Sequence, residues 1–383
     1  MRVLIIGGGI AGSAAALALH QAGLRPAVYE AHPDDGADIG AFLTLASNGM
    51  RALGQIGAAQ AVAEAGFPLT GLRLLDASGA VLTDGPLGAH DHPLTRFRCL
   101  RRAELGAVLQ REVRRRGIPI SHGARLVSVT EDGTGVVAGF ADGRSAGGDL
   151  LIGADGLNST VRALLSPAEP RYAGQKVFYG YTTDAAPPTP NRAGVITMVR
   201  GSATAFGYAC SPVGEVFWFA RVSGPPVSDA EIADATPARW RDLLVPLLRP
   251  DATPAAELVA ATSDRLMVTN ACDLHLGQPW RTRRTVLIGD AAHAASPATG
   301  QGASMALEDA VILAKALRDA PTTAAALADY ERLRRPRVEN NIVASAALSA
   351  GRTPPPNDGR ERPAALTDDE LIRQLDWTTP LPA

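Results

Sequence analysis

A chain of 383 residues is long enough to bury a large core and, at ordinary domain sizes, forms roughly one to three domains. Hydrophobic residues make up 46% of the chain and charged residues 20%, proportions that are ordinary for a soluble globular protein. The formal net charge of -2 provides no general attraction to nucleic acid or to an anionic membrane, so we expect neither partner.

The cysteines and the first residues of the chain indicate the compartment. Cys99, Cys210 and Cys272 are far apart in the sequence and fit neither a disulfide framework nor a zinc site, which favours a reducing environment. The apolar run at residues 3–6 enters a triple glycine at once and lacks the basic region and cleavage site of a secretory signal. We therefore expect a cytoplasmic protein, monomeric or homodimeric, without a bound metal or stable membrane insertion.

The chain opens with the pattern of a βαβ unit. Residues 3–6 form a short, wholly apolar run of the kind found in buried parallel strands. A helix is predicted for residues 11–22, since Gly23 is a typical C-terminal breaker, and residues 26–30 follow as a second strand.

The turn of this unit carries a GxGxxG pattern, formed by Gly7, Gly9 and Gly12. Glycine suits a turn where backbone approaches a pyrophosphate, and a helix N-terminus near Ala11 offers free N–H groups to the phosphates. Glu30 follows Gly12 by 18 residues and is placed to bind ribose hydroxyls. The glycines alone would fit any tight turn. With the flanking strand, helix and acid they predict dinucleotide binding, without distinguishing NAD from FAD.

Two elements are predicted before the second motif. Residues 102–116 have their apolar positions on one helical face, and five arginines of the segment point outward. Residues 126–130 and 136–140 flank Asp132-Gly133, which favours a β-hairpin.

The second motif is an apolar strand at residues 149–153 that leads to Asp155 and Gly156. Ser159 and Arg162 follow in a predicted short helix. An ordinary strand-to-turn junction explains the dipeptide equally well, because Asp-Gly is common in turns.

The middle of the chain has the alternation of an antiparallel sheet. Strands are predicted at residues 176–183, 195–201, 204–210 and 215–222, with a loop at 187–191 and a helix at 240–248. Aromatic side chains alternate between the two faces of these strands, so half should be core and half could cover a substrate. The substrate-facing candidates are Tyr181, Tyr208 and Trp218.

The third motif begins with an apolar strand at residues 285–289 and delivers Asp290 at its carboxyl end. This carboxylate is placed to bind polyol hydroxyls. The Gly-rich loop at 297–302 then opens a helix at 302–318, whose N-terminus would stabilise negative charge on a reduced flavin. His293 fits a structural role beside the loop better than that of a catalytic base.

The remaining chain is predicted to hold a helix at residues 325–350, a mobile linker rich in Pro, Gly and charge at 351–363, and a final short helix. The last prediction rests on the capping-box form of residues 367–370.

In order and approximate spacing, the three motifs closely resemble those of the group A flavoprotein monooxygenases, typified by para-hydroxybenzoate hydroxylase. The resemblance runs from Met1 to about Asp319. It implies an α/β fold: a doubly wound FAD-binding domain, Rossmann-like and of the glutathione-reductase type, with an inserted antiparallel-sheet substrate domain. The implied FAD-binding domain is discontinuous, at residues 1–70, 97–165 and 267–350; the substrate domain occupies 71–96 and 166–266, and a C-terminal linker and short helix occupy 351–383.

The resemblance also implies roles for matched residues. Glu30 would hold the adenosine ribose, Arg102 the phosphoribityl region of FAD, and Asp290 the ribityl chain. Pro297 and Gly300 would form the catalytic loop beside the isoalloxazine, with no general base evident in the sequence. The full implied cofactor-binding set is Gly7, Gly9, Ala11, Gly12, Glu30, Arg102, Asp155, Gly156, Asp290, Gly300, Gly302 and Ala303.

One position departs from the family pattern. Many relatives have arginine after the ribose-binding glutamate, whereas this chain has Ala31, so contacts made by that arginine are absent or supplied elsewhere. The choice between NADH and NADPH stays open.

The implied activity is that of an FAD-dependent monooxygenase. It would use NAD(P)H and O₂ to hydroxylate or epoxidise an electron-rich aromatic or polyketide-like molecule through a C4a-hydroperoxyflavin. Two alternatives stay open: a flavin-dependent halogenase and a non-catalytic flavin- or ligand-binding protein. Halogenases use an active-site lysine early in the chain, whereas the first lysine here is Lys176 and the only other is Lys315.

Overall fold

The computed structural model describes residues 1–34, 40–166, 169–185, 193–355 and 366–382. The predicted loop at 187–191 and most of the predicted linker at 351–363 lie outside these residues. Along the described chain the strands are β1 (Arg2–Ile6), β2 (Arg25–Tyr29), β3 (Phe42–Leu45), β4 (Phe67–Leu69), β5 (Gly71–Asp76), β6 (Val81–Pro86), β7 (Phe97–Arg101), β8 (Ile120–Ser121), β9 (Leu126–Glu131), β10 (Val136–Phe140), β11 (Ser145–Gly148), β12 (Leu150–Gly153), β13 (Arg171–Thr182), β14 (Val195–Arg200), β15 (Thr204–Cys210), β16 (Val216–Ser223), β17 (Leu266–Asp273) and β18 (Thr285–Leu287).

The helices of the described residues include every helix predicted from the sequence and several short ones besides. They are α1 (Ile10–Gln21), α2 (Ser47–Gln55), α3 (Ala59–Ala65), α4 (Arg102–Arg115), α5 (Thr160–Leu165), α6 (Asp229–Asp234), α7 (Pro237–Leu248), α8 (Ala255–Ala260), α9 (Asp290–His293), α10 (Gly302–Asp319), α11 (Thr323–Ser349) and α12 (Asp368–Leu375). None of these described helices combines the length and the apolar character needed to cross a bilayer.

A five-stranded parallel sheet forms the centre of the predicted FAD-binding region, in the order β18-β12-β1-β2-β8. Its inner strands are apolar runs because both faces are covered: α1 and α10 pack on one face, and the antiparallel sheet β9-β10-β11 covers the other, where Phe140 stacks on Tyr29. The carboxyl ends of parallel strands meet at one edge of a sheet. Here that edge brings together the turns after β1, β2, β12 and β18, which contain all three sequence motifs.

A second sheet has seven strands, in the order β17-β13-β16-β15-β14-β5-β6. All neighbours are antiparallel except β14 and β5, which run parallel, a pairing that the alternation pattern did not predict. One face of this sheet packs against α7 and α8 around Trp218, Phe206 and Trp240. The other face is turned toward the FAD-binding region.

The sequence-based boundary at residue 267 needs a correction. Strand β17 begins at Leu266 and pairs with β13 as far as Asp273, so it is the edge strand of the seven-stranded sheet and not part of the FAD-binding region. The sequence could not show this pairing, because the partner strand β13 lies about a hundred residues earlier in the chain and is adjacent only in the folded protein.

The C-terminal helix α12 is capped as the sequence predicts, since Thr367 and Glu370 form a complete capping box. It does not project from the molecule. The ammonium of Lys315 donates hydrogen bonds to the carbonyls of Gln374 and Asp376, each at 2.6 Å, and thereby holds the end of α12 on the FAD-binding region.

Candidate active site

A cavity of about 1030 Å³ lies between the motif-bearing edge of the parallel sheet and the facing side of the seven-stranded sheet. Its walls therefore come from both halves of the fold. The residues that line it on the first side include Gly7, Gly9, Ala11, Glu30, Arg102, Asp155, Gly156, Asp290, Pro297, Gly300, Gly302 and Ala303. Of the predicted cofactor and loop residues, only Gly12 stands back from the cavity surface.

The three motif glycines occupy different environments. Gly7 has a φ of +101°, and a Cβ there would collide with the carbonyl of Ala154. A Cβ at Gly12 would collide with the carbonyl of Gly7, so this glycine lets α1 start close to β1. At Gly9 a Cβ would meet no atom within 4 Å. Gly7 and Gly12 are required by the fold itself, whereas Gly9 leaves open space beside the N-terminus of α1.

Glu30 is fixed at the end of β2 by backbone donors. Its Oε2 accepts a hydrogen bond from the N–H of Gly8 at 2.5 Å, and its Oε1 accepts one from His32 at 2.7 Å. The carboxylate consequently faces the cavity in one orientation and joins the glycine turn to the second strand.

Asp155 caps the turn that begins α5. It accepts hydrogen bonds from the Ser159 hydroxyl at 2.5 Å and the Val161 N–H at 3.1 Å, while burial raises its pKa. Arg162 then donates to the carbonyls of Leu157 and Ala291, which ties this second motif to the third.

Asp290 and the first turn of α10 form one polar wall. Gly302 begins α10, and a Cβ there would be 3.9 Å from Oδ1 of Asp290. The first turn of α10 has neither an acidic residue nor a side-chain cap, and Gly302 and Ala303 both line the cavity. The free N–H groups of an 18-residue helix therefore point toward the cavity, where they favour negative charge.

The opposite wall is a regular patch of the seven-stranded sheet. Strand register places Thr269, Val177 and Arg221 in one row across β17, β13 and β16. The next row contains Met267, Tyr179 and Phe219, and all six side chains line the cavity. This wall is mostly apolar, with one phenol, one hydroxyl and one guanidinium.

The structure corrects the predicted substrate-facing aromatics. Tyr208 and Trp218 lie opposite each other on β15 and β16, on the face that packs against α7 and α8, so neither reaches the cavity. Tyr181 is on the correct face but one row further along, where its ring packs against Phe217 and under the guanidinium of Arg101. Of the described aromatic residues on the seven-stranded sheet, the ones that line the cavity are Tyr179, which shares its face with Tyr181, and Phe219. The alternation of side chains along a strand did not reveal which of its two faces is turned toward the cavity.

Known proteins share this arrangement. The family described as "FAD binding domain" matches residues 1–345. The chain belongs to that family. It is 32% identical over 348 residues to the aurachin C monooxygenase/isomerase of Stigmatella aurantiaca, covering 90% of this chain and 88% of that relative. It is 31% identical over 362 residues to an FAD-dependent urate hydroxylase of Klebsiella pneumoniae, covering 90% and 88% respectively.

A solved structure agrees with these family members. Klebsiella pneumoniae HpxO complexed with FAD and uric acid matches with a TM-score of 0.80 and 27% identity, over 99% of this chain and 93% of that chain. The fold and family predictions are thereby confirmed: this member of the FAD-binding family is a group A FAD-dependent monooxygenase. FAD is its cofactor, with NAD(P)H as the reductant that the family uses. The comparisons give no support to a halogenase.

The cavity fits FAD on the structure's own terms. Its first wall has open space at Gly9, a carboxylate at each of Glu30 and Asp290, and two helix N-termini. In a dinucleotide, a pyrophosphate lies between two polyol portions. The N–H groups of the helix N-termini can bind the pyrophosphate, and the carboxylates can accept hydrogen bonds from the polyol hydroxyls.

A buried ionic cluster behind this wall was not predicted from the sequence. Arg334 is fully buried and donates to Glu308 at 2.6 Å and to Asp309 at 2.7 Å. Asp309 also accepts from the N–H of Gly289 at 2.8 Å and bonds His293 Nε2 at 2.6 Å. Burial alone would raise the pKa of Asp309, but the charges of His293 and Arg334 hold it well below its usual range.

This cluster helps to position Asp290, because Asp309 binds the backbone N–H of Gly289, the residue immediately before Asp290. His293 belongs to the cluster and is not among the cavity-lining residues, as its predicted structural role implies. Glu308 and Asp309 were visible as adjacent acids in an apolar helix, but their partner Arg334 lies on α11, and nothing in the sequence pairs the two helices.

Proposed function

We propose that this monooxygenase hydroxylates or epoxidises an electron-rich aromatic molecule, bound between the seven-stranded sheet and the loop at 297–302. One observation carries the proposal: the FAD-binding wall and the apolar sheet wall belong to the same cavity. The flat, weakly polar surface made by Tyr179, Phe219 and Met267 suits an aromatic ring. Relatives named for aromatic substrates support this class, among them the urate hydroxylases and a kynurenine 3-monooxygenase of Salinispora tropica.

The cofactor roles implied by the family remain a proposal for each residue. Gly9 and Ala11 would approach the pyrophosphate, Glu30 the adenosine ribose and Asp290 the ribityl chain. Arg102 would contact the phosphoribityl region, Asp155 and Gly156 both FAD and NAD(P)H, and the flavin ring would lie against Pro297, Gly300, Gly302 and Ala303.

FAD, once bound and reduced, supplies the oxygen-transfer chemistry. The protein's own part is to orient the substrate and to exclude water, which the apolar sheet wall does. The described cavity residues of that wall carry no carboxylate or imidazole, so we assign no general base there.

The direct test combines cofactor content and turnover. The purified protein should release about one FAD per chain on acid precipitation, because the cradle is non-covalent. Aromatic compounds, beginning with urate, hydroxybenzoates and indoles, should accelerate the oxidation of NADH or NADPH and yield products heavier by one oxygen atom. A protein that binds FAD and an aromatic ligand, yet shows no ligand-dependent NAD(P)H oxidation, would be the non-catalytic binding protein of the alternative hypothesis.

The finer predictions on assembly and compartment stand beside this proposal. We propose a monomer or a homodimer in the cytoplasm. Light scattering after size exclusion measures the oligomeric state directly.

A further inference from the structure

A buried serine on α11 bonds both ends of the turn that opens the loop at 297–302. The turn is a single 3₁₀ turn at Pro297–Thr299. The hydroxyl of Ser345 donates a hydrogen bond to the carbonyl of Ser296 and accepts one from the N–H of Thr299 at 3.3 Å. A hydroxyl has only one proton to donate, and here that proton is directed to the loop and not to the helix that carries the serine.

Another 3₁₀ turn of this chain shows how the same two backbone groups pair within a turn. In the turn at Pro93–Thr95, the N–H of Thr95 donates directly to the carbonyl of His92 at 3.0 Å. The corresponding groups of the loop are those that Ser345 bonds. The serine hydroxyl therefore bridges two groups that can otherwise pair with each other, and this bridge sets how far the turn opens.

Two further side chains on the same face of α11 hold the loop. Asn341 lies one helical turn before Ser345, and its Oδ1 accepts a hydrogen bond from the Thr299 hydroxyl at 2.9 Å. Ser349 lies one turn after Ser345, and its hydroxyl is 2.8 Å from the hydroxyl of Ser296. Residues four positions apart share one face of a helix, so α11 presents a row of polar groups to the loop.

This row is carried by a helix that is itself fixed to α10. Arg334 and Arg337 of α11 both bond Glu308 of α10, at 2.6 Å and 2.7 Å. Ser345 follows Arg334 by about three helical turns and therefore lies on the same face. Since α10 begins at Gly302, the same pair of helices fixes the start and the end of the loop.

The bridged turn is part of the cavity surface. Ser296, Pro297, Ala298 and Thr299 all line the cavity, whereas Ser345 is not among the described residues that line it. A change at Ser345 can therefore move this surface without removing any group that contacts the cofactor.

We propose that Ser345 is a positioning residue for oxygen transfer, because its hydroxyl keeps the turn at Pro297–Thr299 open and so sets where the loop lies against the flavin ring. The inference rests on the proposed function, which places the flavin ring against this loop. A displacement of about 1 Å between reacting groups can lower a rate by on the order of 100-fold. A small contraction of the turn should thus impair oxygen transfer even while FAD stays bound.

The test compares Ser345→Ala with the unmodified enzyme, both loaded with FAD. Without the hydroxyl, the carbonyl of Ser296 and the N–H of Thr299 are left to pair with each other, so the turn contracts while the fold and the FAD content persist. The visible absorption maxima and the reduction potential of the bound FAD should both shift. With an accepted aromatic substrate, the share of consumed NAD(P)H that yields hydroxylated product should fall by about 3- to 10-fold, with hydrogen peroxide accounting for the rest.

Two variants separate positioning from a general loss of stability. Ser345→Cys keeps a weaker donor in the same place and should give shifts between those of the unmodified enzyme and Ser345→Ala. Thr262→Val is the matched control, because it also removes a buried hydroxyl with two hydrogen bonds, one donated to Leu258 and one accepted from Trp218. It lies away from the loop and should change neither the FAD spectrum, the potential nor the product share.

Three results would overturn the inference. Ser345→Ala could keep the FAD spectrum, the potential or the product share of the unmodified enzyme; Thr262→Val could show the same shifts; or folded Ser345→Ala could fail to retain FAD, which would make the serine a determinant of cofactor retention. Failure of the proposed function looks different. The unmodified enzyme would then lack NAD(P)H oxidation stimulated by aromatic compounds, while the spectra and potentials would still report on the loop.

Discussion

At the scale of single residues, the glycine motif separates folding from binding. Gly12 has no room for a side chain because the carbonyl of Gly7 occupies the position of a Cβ. Gly9 has room within the protein, and the open space beside it faces the cavity. The motif therefore combines a requirement of the fold with a requirement of the ligand.

Substitutions by alanine should distinguish these two requirements. Gly12→Ala should destabilise the apo-protein by about 1–3 kcal/mol through overpacking, with poor FAD retention as a consequence. Gly9→Ala should leave apo-protein stability unchanged yet weaken FAD binding, because the methyl group enters the space of the pyrophosphate. Denaturant unfolding and FAD titration of the apo-proteins measure both effects. Gly54→Ala, at an open site in α2, should change neither, and normal FAD affinity in Gly9→Ala would contradict the assignment.

The buried cluster around Asp309 leads to a prediction on pH. The pKa of Asp309 in the folded protein is below its value in the unfolded chain, so its ion pairs stabilise the fold above about pH 4 and lose this effect as the pH falls further. Asp309→Asn should lower stability at neutral pH by about 3 kcal/mol, and its melting temperature should then fall less steeply with acid.

Melting temperatures measured from neutral to acid pH test this prediction. Asp329→Asn removes a half-exposed carboxylate that pairs with Arg332 on the surface of α11, and it should have little effect at any pH. Parallel pH curves for Asp309→Asn and the unmodified protein would show that the cluster does not depend on this charge.

At the scale of elements, α10 serves the core and the site at once. Most of its length is buried against α1, α2 and α11, whereas its uncapped first turn lines the cavity. Tertiary packing holds the helix, so its N-terminus can keep free N–H groups that a side-chain cap would otherwise satisfy.

Bulk at the start of α10 should therefore disturb the flavin and not the fold. In Gly302→Val the side chain would extend beside Asp290 and separate the helix N-terminus from the cofactor. We expect weaker FAD binding or a reduction potential lower by on the order of 10–20 mV, the contribution of a helix dipole to an anion. Redox titration measures this shift, with Gly106→Val at an open site in α4 as the control. An unchanged potential with unchanged FAD binding would place the flavin elsewhere.

At the scale of the whole molecule, the active site exists only where the two sheets face each other. The parallel sheet supplies the cofactor wall and the seven-stranded sheet supplies the substrate wall. The lysines bear on the chemistry. Lys315 is buried under α12, and neither it nor Lys176 is among the described residues lining the cavity.

Without a cavity lysine, the product should carry oxygen and no halogen. Turnover of an accepted aromatic substrate with NAD(P)H under labelled O₂, in the presence of chloride and bromide, should give one labelled oxygen atom per product. An arginine of the cavity would not replace the missing lysine, since a guanidinium stays protonated and is a poor nucleophile. Mass spectrometry decides the outcome, and a halogenated product or label derived only from water would contradict the prediction.

The sequence by itself determined the parts of this protein that depend on local chemistry. The βαβ unit with Gly7, Gly9 and Gly12 predicted dinucleotide binding, and the capping box at Thr367 predicted the last helix. The order and spacing of the three motifs then carried the resemblance that implied the fold, the family and FAD. Each of these features consists of residues close together in the chain, where spacing alone fixes geometry.

Only the tertiary structure decided which side chains face each other across the chain. It placed Tyr179 and Arg221 in the cavity and Trp218 behind the sheet, assigned β17 to the second sheet, and paired Arg334 with Asp309. The reason is physical: the alternation of side chains along a strand does not show which face of the sheet is buried. Packing against α7 and α8 makes one face part of the core. A buried charge likewise shows whether it is paired only when the helices that carry its partners have come together.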